Sequence, residues 1–423
     1  MNHRPYHALR FLDFRRLWGA QLVSLTGSQM QVVAINWHVY LLTGSPLALG
    51  LLGLVRVVPV IVFSLWGGVV ADRRDRRGVL LVSQSVMTLA AIVLSGLTFF
   101  HAETTHWLYL LTAVSAAATA FDNPARNALV PRLVPREVLP GAIALNLTMF
   151  HASMIAGPGL AGLLIAAFGT AGRRGVAVIY LLNALSFLAV LVVLATMRTS
   201  GAVAEDGGRP VSVAESLREG IRFVFRTPAM VWTMTLDFFA TFFSGALSLL
   251  PIFADQVLKV GPAGYGTLAA APAAGALAGS LFTSLRPLPD RQGRILLWSV
   301  AAYGLATVVF GLSRSYPLTL LALAAVGLSD LFSTVVRVTL RQLITPDELR
   351  GRMTSVNMIF FMGGPQLGEL EAGLVASLFL PVALGATVSV VSGGVLTIAL
   401  AAVVAAVTPV IRDYRASTKQ APG

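Results

Sequence analysis

Apolar residues run along this chain in long blocks separated by short polar stretches, and most blocks reach the length of about 20 residues that a membrane-spanning helix needs. The pattern predicts twelve spans, near 17–42, 47–71, 79–100, 107–125, 142–168, 175–197, 229–256, 264–285, 294–313, 317–337, 353–380 and 382–409. Only helices satisfy this pattern, because lipid offers no partner to an open backbone. The longest polar stretch, 198–228, begins rich in Gly, Glu and Asp and reads as a linker. Its second part has Ser212 and Glu215 spaced as a capping box, then Leu217, Ile221 and Phe225 on one helical face. A short amphipathic helix on the membrane surface is expected there. Thr345 and Glu348 form a second capping box, opening a helix after the tenth span.

Composition agrees with this pattern. Of 423 residues, 56% are hydrophobic and 12% charged, where a soluble domain carries about 25% charged residues. The net charge of +12 does not indicate nucleic-acid binding, because the basic residues are spread over the short connections. With both termini on the cytoplasmic side, 26 of the 31 Lys and Arg fall in cytoplasmic segments. Arg173, Arg174, Lys259 and Arg314 fall outside, and Arg56 lies within a span. That asymmetry predicts cytoplasmic termini and an even number of spans. The first sixteen residues hold four arginines and no apolar core of signal length, so the first span is expected to insert uncut. The absence of Cys excludes disulfides, thiol catalysis and Cys-ligated metals. Neither a nucleotide-binding P-loop nor a recognisable Ser/His/Asp set is present, which argues against an enzyme or an ATP-driven pump.

The chain also repeats itself. At an offset of 211 residues, Arg126, Pro135, Glu137 and Asn146 match Arg337, Pro346, Glu348 and Asn357. Gly50, Gly53, Gly68, Gly157 and Gly162 match Gly261, Gly264, Gly279, Gly368 and Gly373. A parallel duplication of two six-helix halves follows, spanning 1–197 and 229–423 on either side of the linker 198–228.

Two motifs carry more than topology. Gly68, Asp72, Arg73, Arg76 and Arg77 close the second span and resemble the signature loop of the major facilitator superfamily. Asp75 stands where that loop usually has a second glycine, which leaves the turn geometry open. In the fifth span, Gly157, Pro158 and Gly162 resemble the exporter motif of the same superfamily, with Ala144 and Ser153 at its earlier small positions. Small residues permit close helix packing and Pro158 bends the span. The finer pattern is similar to a branch that includes the enterobactin exporter and macrolide-efflux-like proteins. It comprises Phe11–Leu17, Leu54–Arg56 with Pro59, Asp122–Arg126, and Gly368–Gly373. The resemblance implies a twelve-helix transporter, monomeric, in a bacterial inner membrane. Its second and eleventh spans would lie side by side.

Ionisable groups inside spans are costly and usually functional. The candidates for proton or substrate binding are Asp237, Asp330, Glu369, Glu371, Asn36 and His38. Arg56 is a gating candidate, expected about 13 Å deep and paired with Glu369 or Glu371. Those two glutamates are about 200° apart on a helix, so only one of them can face Arg56. Asp237 adjoins Phe238, Phe239, Phe242 and Phe243, which suits an amphipathic organic solute. Asp122 and Arg126, four residues apart, read as a structural pair, and His151 as a core histidine. The expected activity is export of a hydrophobic or amphipathic small molecule, drug- or siderophore-like, by proton antiport. No cofactor beyond the proton gradient is implied. The alternatives are a facilitator or importer of a metabolite, which would need a more polar cavity, and a transport-dead signalling or scaffold protein, which would tolerate loss of the buried acids.

Overall fold

The computed structural model describes residues 5–169, 172–197, 222–286, 288–346 and 350–415. Twelve long helical rods occupy the predicted positions. They are α1 Leu12–Thr43, α2 Pro46–Arg73, α3 Arg76–Phe99, α4 Thr105–Leu133, α5 Leu139–Ala167, α6 Arg173–Thr196, α7 from Pro228–Phe243, α8 Gly261–Leu285, α9 Gln292–Leu312, α10 Tyr316–Ile344, α11 Arg350–Ser377 and α12 Val382–Val407. The seventh rod continues past Phe243 through a 3₁₀ turn at Gly245–Leu249, a single turn at Leu250–Ile252 and a π turn at Phe253–Val257. Among the described residues nine rods are both long and apolar enough to cross a membrane. The other three, α1, α4 and α11, carry Asn36 and His38, Asp122, and Glu369 and Glu371 respectively. Large apolar side chains such as Leu89, Leu185, Trp298 and Leu321 point outward, as they must where the solvent is lipid. The architecture is the all-α, polytopic major facilitator fold of twelve transmembrane helices in two six-helix halves.

Helix ends follow local chemistry. Asp75 caps α3 by accepting from the backbone N–H of Arg77 and Gly78 at 3.3 and 3.2 Å. The aspartate at the family's glycine position therefore makes the turn as an N-cap. Thr104 caps α4 in the same way. α1 ends on Gly44, whose φ of 58° is one that glycine adopts without strain. The amphipathic helix expected from Ser212 lies outside the described residues except for a helical stretch at 222–226. The Thr345 capping box is likewise described only at Thr345 and Pro346.

The chain forms two compact units: Met1–Gly44, Val55–Gly208 and Val260–Ala270; and Ser45–Leu54, Arg209–Lys259 and Ala271–Gly423. α2 and α8 are thus each divided between the units. In the first unit α3 packs on α4 and α6, and α1 on α5 and α6. In the second, α9 packs on α10 and α12, and α7 on α11 and α12. The pairing scheme is the same, and so are core positions. Ala125, Leu129 and Val190 are buried in one core, and Val336, Leu340 and Ala401, each 211 residues later, in the other.

Candidate functional site

The signature loop serves as a bolt within the first unit. Arg77 donates to the carbonyl oxygens of Met197 at 3.0 Å and Ala195 at 2.8 Å. These are orphan acceptors at the end of α6, where a cation also meets the negative end of the helix dipole. Arg77 thereby ties the start of α3 to the end of α6. Arg76 is half-buried beside it. Gly68, Asp72 and Arg73 lie on α2, but their side chains fall outside the described residues.

The exporter motif presents its glycines to two neighbours. A methyl group at Gly157 would meet the Gln29 side chain and lie 3.0 Å from the Thr26 carbonyl oxygen on α1. At Gly162 it would lie 2.8 Å from the Gly266 Cα in the opening of α8. Pro158 is buried between these crossings. Ser153 accepts from Thr26 at 3.2 Å, while Ala144 is exposed and makes no such crossing. The second unit contains the repeat-related arrangement. Gly50 in the opening of α2 would, with a methyl group, meet Gly373 Cα of α11 at 2.9 Å, and Gly53 abuts Gln366 and Glu369.

Charge is buried in both units. In the second, Arg337 of α10 lies 2.8 Å from Asp237 of α7 and 3.6 Å from Asp330. It also donates to Ser333 at 2.6 Å and Thr334 at 2.9 Å. The side chains of Asp237 and Arg337 are 8% and 5% exposed, whereas Asp330 is half-exposed. Ala240, Thr241, Val300, Tyr303, Asp330, Ser333 and Arg337 line a cavity of about 10 Å³, room for one water molecule. The structure thus brings two of the candidate acids, Asp237 and Asp330, to one arginine. Beside them, Phe238 stacks on Phe242 with centroids 5.9 Å apart and Phe239 on Phe243 at 5.8 Å. Phe360 of α11 meets Phe238 edge-on. The four phenylalanines that the sequence placed near Asp237 form one aromatic ladder.

In the first unit, Arg126 pairs with Asp122, four residues earlier on α4. Asp122 is fully buried and also accepts from Gln84 at 2.8 Å and Ser83 at 3.2 Å on α3. Arg126 and Arg337 are repeat mates, but their nearest carboxylates differ in origin: the same helix in one unit, a different helix in the other, where the same-helix Asp330 stands farther off. Arg56 donates to Asn36 at 2.8 Å. Glu369 and Glu371 are both half-buried on α11. His151 is half-buried, edge-on to Phe150.

His38 is fully buried, and its partners include a residue that sequence reasoning missed. Glu103, in the short connection between α3 and α4, turns its carboxylate inward until only 2% of the side chain is exposed. It lies 3.7 Å from His38 Nε2 and 3.4 Å from Arg173. The opposite ring nitrogen, Nδ1, is 3.2 Å from the Tyr180 hydroxyl. A lone Glu in a loop carries no span signal, which is why hydropathy passes over it.

Twelve helices in two repeat-related units, with glycine crossings and buried charge pairs, define a major facilitator transporter. Comparison with known proteins agrees. The family of transmembrane secretion effectors matches residues 4–420, and the chain belongs to it. The enterobactin exporters EntS of Shigella boydii and Escherichia coli are each 26% identical over 370 residues, 88% of this chain and 86% of theirs. Among solved structures, a bacterial homologue of the human lysosomal transporter Spinster superimposes with TM-score 0.72 at 16% identity, covering 93% of this chain and 95% of its own. A bacterial homologue of the iron transporter ferroportin gives 0.67 at 16% identity, covering 92% and 98%. A peptide transporter gives 0.72 at 13% identity, covering 94% of each chain. At these identities the structural likenesses speak for the fold alone.

Proposed function

We propose that this multi-pass membrane transporter exports a hydrophobic or amphipathic small molecule by proton antiport. It would work by alternating access in a bacterial inner membrane, with both termini cytoplasmic. The observation that carries this reading is the buried Asp237–Arg337 pair, with the half-exposed Asp330 beside it, against the aromatic ladder of α7. A charged group in a spanning helix is retained at considerable cost, so it marks a proton or substrate path. Stacked phenylalanines offer an apolar, adaptable surface to an organic solute. The kinship with exporters over most of the chain supports the outward direction. The abundant Arg and Lys of the predicted cytoplasmic connections support the orientation.

The test is accumulation of a fluorescent amphipathic dye, Hoechst 33342, in inverted vesicles under an imposed pH gradient. ΔpH-driven uptake by wild type, lost in Asp237→Asn or Glu371→Gln, is the expected result. Uptake that ignores the gradient but dissipates a dye gradient would replace antiport with facilitation.

A further inference from the structure

We propose that His38 and Glu103 form a proton-binding site on the face of the first unit remote from the N-terminus, and that this site loads the proton used in the antiport cycle. The proposal rests on the antiport reading and on the predicted topology, in which that face is external.

The geometry is that of a buried imidazole–carboxylate pair with unused hydrogen-bonding capacity. Among the described residues, neither Glu103 oxygen accepts a hydrogen bond and His38 Nε2 has no hydrogen-bond partner. Such a buried carboxylate is costly without donors. The charged or titratable groups facing the pair are Arg173 and Tyr180, both on α6. With the imidazole neutral, the Tyr180 hydroxyl donates to Nδ1 and the Nε2 proton points at Glu103. Adding one proton turns the Tyr180 hydroxyl from donor to acceptor at Nδ1 and leaves imidazolium facing carboxylate. The pair then goes from net −1 to neutral, and the set including Arg173 from neutral to +1. Arg173 is 40% exposed and Glu103 is anchored in a connecting loop, so water reaches the edge of the site.

Position links this proton to movement. His38 ends a run of three residues on α1 that each touch a different element. Asn36 accepts from Arg56 of α2 at 2.8 Å. Trp37 stacks on Tyr265 in the opening of α8, centroids 5.4 Å apart and planes 24° apart. Tyr265 in turn donates to the Val33 carbonyl at 3.4 Å. α2 and α8 are the two helices divided between the units. A charge change at His38 is therefore one residue from the Trp37 contact with α8 and two from the Asn36 contact with α2.

The experiment compares wild type with Glu103→Gln and His38→Gln in inverted vesicles, measuring ΔpH-driven Hoechst 33342 accumulation and, separately, dye exchange without a gradient. Expected is at least a roughly tenfold loss of driven accumulation with exchange within about twofold of wild type. A coupling site loses the drive and keeps the exchange. Arg173→Gln keeps both titrating groups. It should raise the pH of half-maximal drive by roughly one unit, because loss of a nearby cation makes the site as a whole easier to protonate. Driven accumulation unchanged in Glu103→Gln and His38→Gln would overturn the proposal and leave antiport standing. Loss of drive and exchange together, with an unmoved profile in Arg173→Gln, would assign the cluster to structure and overturn it as well. A wild type with dye exchange but no ΔpH-driven accumulation would sink the antiport reading and this proposal with it.

Discussion

Arg337 on α10 holds Asp237 on α7 at 2.8 Å while keeping Asp330 at 3.6 Å. One buried guanidinium therefore faces two carboxylates, and its removal is not equivalent to removal of either acid. Arg337→Gln strands the buried Asp237 and removes the partner of the half-exposed Asp330, and should destabilise by about 3–5 kcal/mol, the cost of an uncompensated buried charge. Asp237→Asn leaves Arg337 its second acid and should cost less. The double variant should recover part of the loss of Arg337→Gln. Thermal unfolding of the purified protein in one detergent gives the order. Equal midpoints for Arg337→Gln and Asp237→Asn would contradict a shared arginine.

The exporter motif contains its own control. At Gly157 an added methyl group meets Gln29 and the backbone of α1, and at Gly159 it meets nothing within 4 Å. Gly157→Ala should therefore cost about 1–3 kcal/mol of packing strain and depress dye export. Gly159→Ala should leave both unchanged. Export measured at matched expression decides it, and similar effects at both sites would show that bending at Pro158 matters more than the α1 crossing.

Asp75 accepts two backbone N–H groups at the start of α3. Asp75→Ala should lower stability by about 1 kcal/mol, whereas Asp75→Gly, which restores the usual residue of the loop, should cost only a few tenths. Melting midpoints of the two variants test this. A glycine variant as weak as the alanine would mean that Asp75 acts through its charge.

The aromatic ladder makes a prediction about selectivity. Phe238→Ala removes a ring that contacts Phe239, Phe242 and Phe360. Each stacked pair is worth about 0.5–1.5 kcal/mol beyond burial. If the ladder meets the solute, the KM for planar dyes should rise several-fold with little change in the maximal rate. An unchanged KM with a lower melting midpoint would confine the ladder to packing.

Hydropathy and the 211-residue offset were enough to place twelve helices, because a bilayer dictates span length and the duplication repeats its glycines and arginines at one interval. Asp122 and Arg126 were also legible as a pair, since four residues on a helix bring side chains together without help from the rest of the fold. The repeat could not say where the acid opposite Arg337 comes from. In the first unit the acid is four residues away, and in the second the nearer of two acids is Asp237, a hundred residues earlier on another helix. Nor could spacing find Glu103. A loop carboxylate belongs to no periodic face, and only the packing of α1 against α6 decides that it turns inward to His38. The membrane imposes local order that can be read along the chain, whereas burial of a particular charge depends on which helices meet, and that is settled only in three dimensions.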